Sequence, residues 1–126
     1  MKRVITSSDA ALPAGAYSQG TANESLIFTA GQIAKTADGT SFLSDTIEVQ
    51  TRVCIDNIKH ILAEEGASLN DVLKTTVFLE NIDDFEEMNR VYSEYFSEDP
   101  PARSAFEVAR LPGGAKIEIE AVASKN

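Results

Sequence analysis

Two strand-like stretches near the C-terminus carry the side chains best suited to chemistry: Arg103 within Ala102-Arg-Ser-Ala-Phe-Glu107, and Glu118 within Lys116-Ile-Glu-Ile-Glu-Ala121. A guanidinium on a strand is a rigid fork that matches a carboxylate. A carboxylate on a nearby strand can aim a water or take its proton. Spacing alone favours a plainer reading, a structural ion pair between the two, because sequence does not fix the strand register. Tyr17, entering a strand, reads as packing, and Asn89, between Met88 and Arg90 in a helix, as a solvated amide. Cys54 lies on an apolar helical stripe, where a small buried hydrophobe is expected and a nucleophile is not. His60 lies off that stripe, with no serine or carboxylate arrangement to make it a base. Gly15-Ala-Tyr-Ser-Gln-Gly20 has the glycine spacing of a phosphate loop, but Thr21-Ala22 stands next where Lys and Ser/Thr are required, so a Walker loop is rejected.

The elements that must position these groups can be read from periodicity. Lys2 to Thr6 is a short strand. Tyr17 to Ala22 and Ser25 to Ile33 form a hairpin about Asn23-Glu24. Ile47, Thr51, Cys54, Ile55, Ile58, Ile61 and Leu62 recur three or four apart and predict a helix over Ser44 to Glu65, capped by Ser44 and stopped by Gly66. Val72 to Leu79 is β-branched and aromatic and predicts a strand with much of both faces buried. Asp83 with Glu86 three residues later predicts the start of a second helix, whose stripe is Phe85, Met88, Tyr92, Tyr95 and Phe96, and Asp99-Pro100-Pro101 stops it. Strands over Ala102 to Arg110 and Lys116 to Ser124, joined by Leu111-Pro112-Gly113-Gly114, complete the chain.

The order β, β, β, α, β, α, β, β predicts a two-layer α+β domain, one mixed sheet with both helices on one face. Ile117, Ile119 and Ala121 alternate with Lys116, Glu118 and Glu120, and Ser104, Phe106 and Val108 alternate with Arg103, Ala105 and Glu107. If the first-named row of each pair meets the helices, Arg103 and Glu118 share the other face. Chemistry or a subunit interface is expected there.

Composition narrows the function. The 126 residues suit one domain, 1–126, and the net charge of −9 with no cluster of Lys or Arg argues against nucleic acid. A single cysteine excludes an internal disulfide, and a single histidine excludes the usual Cys/His zinc spacings. Met1-Lys2-Arg3 could open a signal segment, but Ser7, Ser8, Asp9 and Pro13 break the stretch from Val4 to Gly15 and leave it no continuous apolar core. Neither export nor a membrane span is expected, and a cytoplasmic location is. Asn23-Glu24-Ser25 fits a glycosylation acceptor and, without export, has no consequence.

Several blocks, spaced as one family spaces them, give a more specific signal. They are Gly15 to Gly20, Thr29-Ala-Gly-Gln-Ile33, Asn57-Ile-Lys59, Asp71 to Phe78, Pro101-Ala-Arg-Ser104, Glu107-Val-Ala-Arg-Leu-Pro112 and Lys116 to Ala121. Through them the chain resembles, nearly end to end, the Rid family of reactive-intermediate deaminases, in particular the RidA-type enamine/imine deaminases. The resemblance implies a chorismate-mutase-like fold and a homotrimer whose sheets face inward, with active sites in clefts between subunits. It implies hydrolysis of small 2-imino acids, such as 2-iminopropanoate and 2-iminobutanoate, to 2-oxo acids and ammonia, with no cofactor and no metal. By the same resemblance Arg103 falls on the carboxylate-binding arginine and Glu118 on the glutamate that holds the attacking water. Tyr17 falls on a pocket tyrosine, Gly31 on a glycine whose backbone lies against the ligand, and Asn89 near an interface asparagine. The preference for a structural Arg103 is thereby reversed.

Two departures stand out: Ala30 where well-known members carry serine, and Ala105 where they carry cysteine. A covalent cysteine mechanism is therefore excluded, and a protonated C=N carbon needs none, being electrophilic already. The lost groups also motivate an alternative, a carboxylate-binding regulatory trimer with little catalysis. An endoribonuclease is a further alternative that the acidic charge disfavours.

Overall fold

A computed structural model describes residues 1–125. Six strands, β1 (Arg3–Ile5), β2 (Gly20–Ala22), β3 (Leu26–Thr29), β4 (Val72–Leu79), β5 (Ala102–Glu107) and β6 (Ile117–Ser124), form one sheet in the order β1-β2-β3-β6-β4-β5. Only β4 and β5 run parallel, joined through helix α2 (Phe85–Tyr95), and every other pair is antiparallel. Helix α1 (Ile47–Ala63) carries the chain from β3 to β4, the two strands flanking β6. The α+β architecture with a mixed sheet and two helices is as expected.

The helix boundaries differ from expectation in instructive ways. Thr46, not Ser44, caps α1, its Oγ1 accepting from Val49 N at 3.3 Å. A short 3₁₀ turn over Ile82–Asp84, capped by Asn81, occupies the place expected for the start of α2, so Asp83 caps nothing and α2 begins at Phe85. Gly66 ends α1 as expected. It has φ +72°, and Ala67 N bonds Leu62 O while Gly66 N bonds Ala63 O, the paired closure that a left-handed residue permits. The hairpin strands are shorter than expected, because Tyr17 to Gln19 and most of Ala30 to Ile33 are held by side chains and bridges instead of a continuous ladder.

The core lies between the helices and one sheet face. Cross-strand partners Thr75 and Ala121, and Val77 and Ile119, share that face with Leu79, Ile117, Ala123 and Ile27. The α1 stripe from Ile47 to Leu62 covers it, together with Met88 and Tyr92 of α2. Fully burying an apolar side chain contributes about 1.5–3 kcal/mol, and apolar groups such as Ile27, Ile55, Ile58, Leu79 and Ile119 are wholly buried here. Two buried amides tie loops to this layer. Gln50 of α1 donates to Leu43 O and Asp45 O and accepts from Lys116 N. Gln19 accepts from Ser7 N and donates to Ser7 O, Ala10 O and Ala11 O, closing the loop between β1 and β2.

The other face carries Thr76, Phe78, Ser104, Phe106, Glu118 and Glu120, partly or wholly exposed. Phe78 and Phe106 meet edge to face there, with centroids 5.4 Å apart. This corrects the alternation expected for β5. Phe106 lies on the open face, and Arg103 and Ala105 lie on the helix side, opposite Thr75 and Val77. Larger apolar residues turn inward where a strand is covered on that side by an apolar layer. β5 is instead an edge strand, and its inner row abuts the aromatic rings of α2, which accept a guanidinium.

Candidate active site

Arg103 is presented by the edge of the sheet and braced by α2. Its guanidinium carbon lies 4.7 Å from the Tyr92 ring centroid and 5.4 Å from that of Phe85, and its Nη1 donates to Asn89 Oδ1 at 2.8 Å. The Tyr92 hydroxyl is within 2.7 Å of Thr75 Oγ1, and Thr75 is the direct cross-strand partner of Arg103. A buried hydrogen bond thus locks the ring on which the arginine rests. Burial, the larger influence, raises the Tyr92 phenol, against a smaller downward pull from Thr75 and Arg103. The phenol stays neutral and the stack keeps its geometry. Among the described residues no carboxylate pairs with Arg103. Its free donors line a cavity of about 300 Å³ with Asn89, Ser93, Phe96 and Pro101. A guanidinium left without a carboxylate partner is chemically suited to pair with an anion.

Glu118 occupies a different cavity, of about 400 Å³, lined also by Tyr17, Ala30, Gly31, Lys35 and Pro112. Burial raises its carboxyl above the usual range, and the like charge of Glu120, two residues along the same face, adds to the shift. Such a carboxylate is a better base than a solvated one. Segment 30–33 is pinned beside it by a two-way bridge, Gln32 N to Ile119 O at 2.8 Å and Ile119 N to Gln32 O at 3.0 Å. Gly31 faces Glu118 directly: a Cβ there would overlap Glu118 Oε2 and lie 2.8 Å from its Cδ. A side chain at residue 31 would have to displace the carboxylate from this position. Tyr17 sits in the loop, not in a strand; its hydroxyl accepts from Ala14 N at 3.1 Å and its ring is about half exposed.

The five residues singled out in the sequence therefore fall into two groups. Arg103 and Asn89 form one, and Tyr17, Gly31 and Glu118 the other. Glu118 pairs with Phe78 on the open face while Arg103 lies on the helix side, so no ion pair joins them and the structural-pair reading fails. Sequence reasoning missed the Thr75–Tyr92 brace and Lys35. Tyr92 is legible only as part of a helical stripe, and Lys35 only as one more surface charge. Cys54 is fully buried near Ile117 O, with burial, and then Glu118, pushing its thiol far up, so it is inert as a nucleophile. His60 is half-buried at the end of α1, remote from both cavities' linings. Among the described residues no cluster of three or more His, Cys, Asp or Glu could hold a metal, and no helix is long and apolar enough to cross a membrane.

These features sit within a well-populated class of proteins. The chain belongs to the Endoribonuclease L-PSP family, the group that includes the Rid proteins, with residues 7–125 matched. It is 50% identical to a RutC family protein of Pyrococcus abyssi, covering 98% of both chains. It is 37% identical to human 2-iminobutanoate/2-iminopropanoate deaminase, covering 98% of this chain and 90% of the relative. Among solved structures, E. coli TdcF with bound serine superposes with a TM-score of 0.93 at 35% identity, covering 98% of this chain and 99% of that one.

Proposed function

We propose that this chain hydrolyses small 2-imino acids to 2-oxo acids, at sites formed where Arg103 and Asn89 of one subunit face Tyr17, Gly31 and Glu118 of the next in a homotrimer. The observation that carries this reading is the unpaired, aromatic-braced guanidinium on one side of the sheet and a carboxylate with a raised pKa on the other. On this reading each cavity supplies half of the site, and an adjoining copy supplies the other half. Covering the open sheet face would also bury Phe28 and Phe106, each 44% exposed. The human relative's name and the serine bound in TdcF point to small amino-acid-like carboxylates.

In this mechanism Arg103 grips the substrate carboxylate with its free donors, and the C=N carbon is thereby held over Glu118. Glu118 takes a proton from water as its oxygen attacks that carbon. Glu118 passes that proton to nitrogen to give the carbinolamine, then takes the proton of the new hydroxyl and delivers it to the amine as the C–N bond breaks, so the C=O bond forms, ammonia leaves and the carboxylate is regenerated. Water supplies the oxygen, and no oxidant or reductant is consumed.

The test is to generate 2-iminobutanoate from threonine with a dehydratase and to follow 2-oxobutanoate release. A rate that rises with added protein is expected; a trimeric preparation giving no rate above buffer overturns the reading. A second reading, a carboxylate-binding regulator, is favoured by Ala30, which lines the Glu118 cavity without a hydroxyl, and by Ala105, which puts no thiol two residues from Arg103. Binding of 2-oxobutanoate lost in Arg103→Ala, with no accompanying catalysis, would establish it. Ribonuclease activity, which the family's description carries, is opposed by the −9 charge.

A further inference from the structure

Lys35 is a half-buried residue whose ammonium has no anionic partner among the described residues. It lines the Glu118 cavity and a smaller recess of about 70 Å³ that shares Tyr17 and Gly31 with it. Its backbone is fixed: its carbonyl accepts from Asn57 Nδ2 of α1 at 2.7 Å, Asn57 itself being 2% exposed, and it bridges Ser41. Its ammonium makes no hydrogen bond or ion pair with any described residue, although the cavity's one carboxylate, Glu118, lines the same space. The other basic residues without a side-chain partner, Lys2, Lys59, Lys74 and Arg110, are exposed. Solvent surrounds those, whereas the half-buried Lys35 lines a ligand-sized cavity, where an entering anion would meet its charge with less screening by water.

We infer that Lys35 is a second anion-binding point, and that the substrates favoured by this site are 2-imino acids with a second carboxylate at the far end, 2-iminosuccinate and 2-iminoglutarate. The inference rests on the proposed imine hydrolysis. There Arg103 takes the carboxylate next to the C=N carbon, that carbon lies over Glu118, and the side chain then extends into the Tyr17–Lys35 part of the cavity. A neutral side chain leaves Lys35 unpaired, and an anionic one gives it a charge-assisted partner. The reaction is unchanged: water adds to C=N, ammonia leaves, and a 2-oxo dicarboxylate is released.

The experiment compares kcat/KM for 2-iminosuccinate, generated with an aspartate oxidase, against 2-iminobutanoate, for the wild type, Lys35→Met and Lys35→Arg. The expected result is a wild-type preference for the dicarboxylate that falls about tenfold or more in Lys35→Met and is kept in Lys35→Arg, since one charge-assisted bond is worth about that factor. Calorimetry with 2-oxoglutarate and 2-oxobutanoate should give the same ordering without any turnover. Hydrolysis of both imines with no preference, or a preference unmoved by Lys35→Met, overturns the role of Lys35 and leaves the deaminase reading standing. A trimer structure with this ammonium paired to a neighbouring subunit's carboxylate would do the same. Failure of both imines to react and of both oxo acids to bind overturns the deaminase reading, and this inference with it.

Discussion

The arginine region and the glutamate region are built on opposite principles. Arg103 projects from an edge strand and is held by an amide and two rings of one helix, one of those rings itself locked by Thr75. Nearly every degree of freedom is spent on fixing direction, and the charge is left for something outside the chain. Glu118 comes from an inner strand, yet loops wall its cavity, and its carboxylate occupies space that a side chain at residue 31 would take. Here the environment acts on proton affinity, which burial and then Glu120 raise. An anchor must be rigid, because misplacing a substrate by an ångström costs most of the advantage of binding it; a base must be tuned near its working pH.

The largest effects are expected at the two charged groups. Arg103→Ala should lower kcat/KM about a hundredfold or more while circular dichroism and oligomeric state stay unchanged, since a charge pair truncated on one side loses several kcal/mol. If activity persists in the folded variant, the anchor lies elsewhere. Glu118→Gln should lower kcat by about 10²–10⁴, the range of general-base catalysis, with KM much less affected. A loss confined to KM would make Glu118 a binding group.

Titration sharpens the same contrast. The Glu118 carboxyl is raised by burial and by Glu120, so its base form appears only as pH climbs past the ordinary glutamate range. The acid limb of kcat/KM should therefore move to lower pH in Glu120→Gln. Stability follows with the matching sign. A folded-state pKa above the unfolded one lends stability that is complete below the unfolded value and is lost as pH rises through the folded value. At neutral pH Glu118→Gln should accordingly raise the thermal midpoint while lowering turnover, a trade of activity for stability. No change in midpoint would mean that the carboxylate is effectively solvated.

Smaller effects test the supports. Gly31→Ala must push the Glu118 carboxylate aside, and should lower kcat by about tenfold with binding of 2-oxobutanoate retained. Tyr92→Phe keeps the ring under Arg103 but strands the Thr75 hydroxyl, and should destabilise by about 1 kcal/mol and raise KM a few-fold, with kcat nearly unchanged. A fall in kcat without a rise in KM would show that the brace serves something other than substrate binding.

Much of this is legible in the residues themselves. The α1 stripe, the Val72–Leu79 strand and the Gly66 stop are local patterns, in which side-chain period and a left-handed residue report on their own neighbourhood. Resemblance across spaced blocks picks out Arg103, Glu118, Tyr17, Gly31 and Asn89 as candidates. The helix starts, with Thr46 as the cap of α1 and Phe85 opening α2, escape a local reading because several capping residues compete within a few positions, and packing chooses among them.

What the tertiary structure alone decided is which side of the sheet each group occupies. Alternation along β5 is compatible with either face, and only the register Thr75 to Arg103, with Thr75 to Ala121 beyond it, sets the arginine against α2 and away from Glu118. The same holds for the Tyr92 hydroxyl on Thr75, the space that Gly31 leaves for a carboxylate, and the unpartnered ammonium of Lys35. Period and composition are properties of neighbouring residues, whereas facing, enclosure and the lack of a partner depend on segments far apart in the chain that only the folded backbone brings side by side.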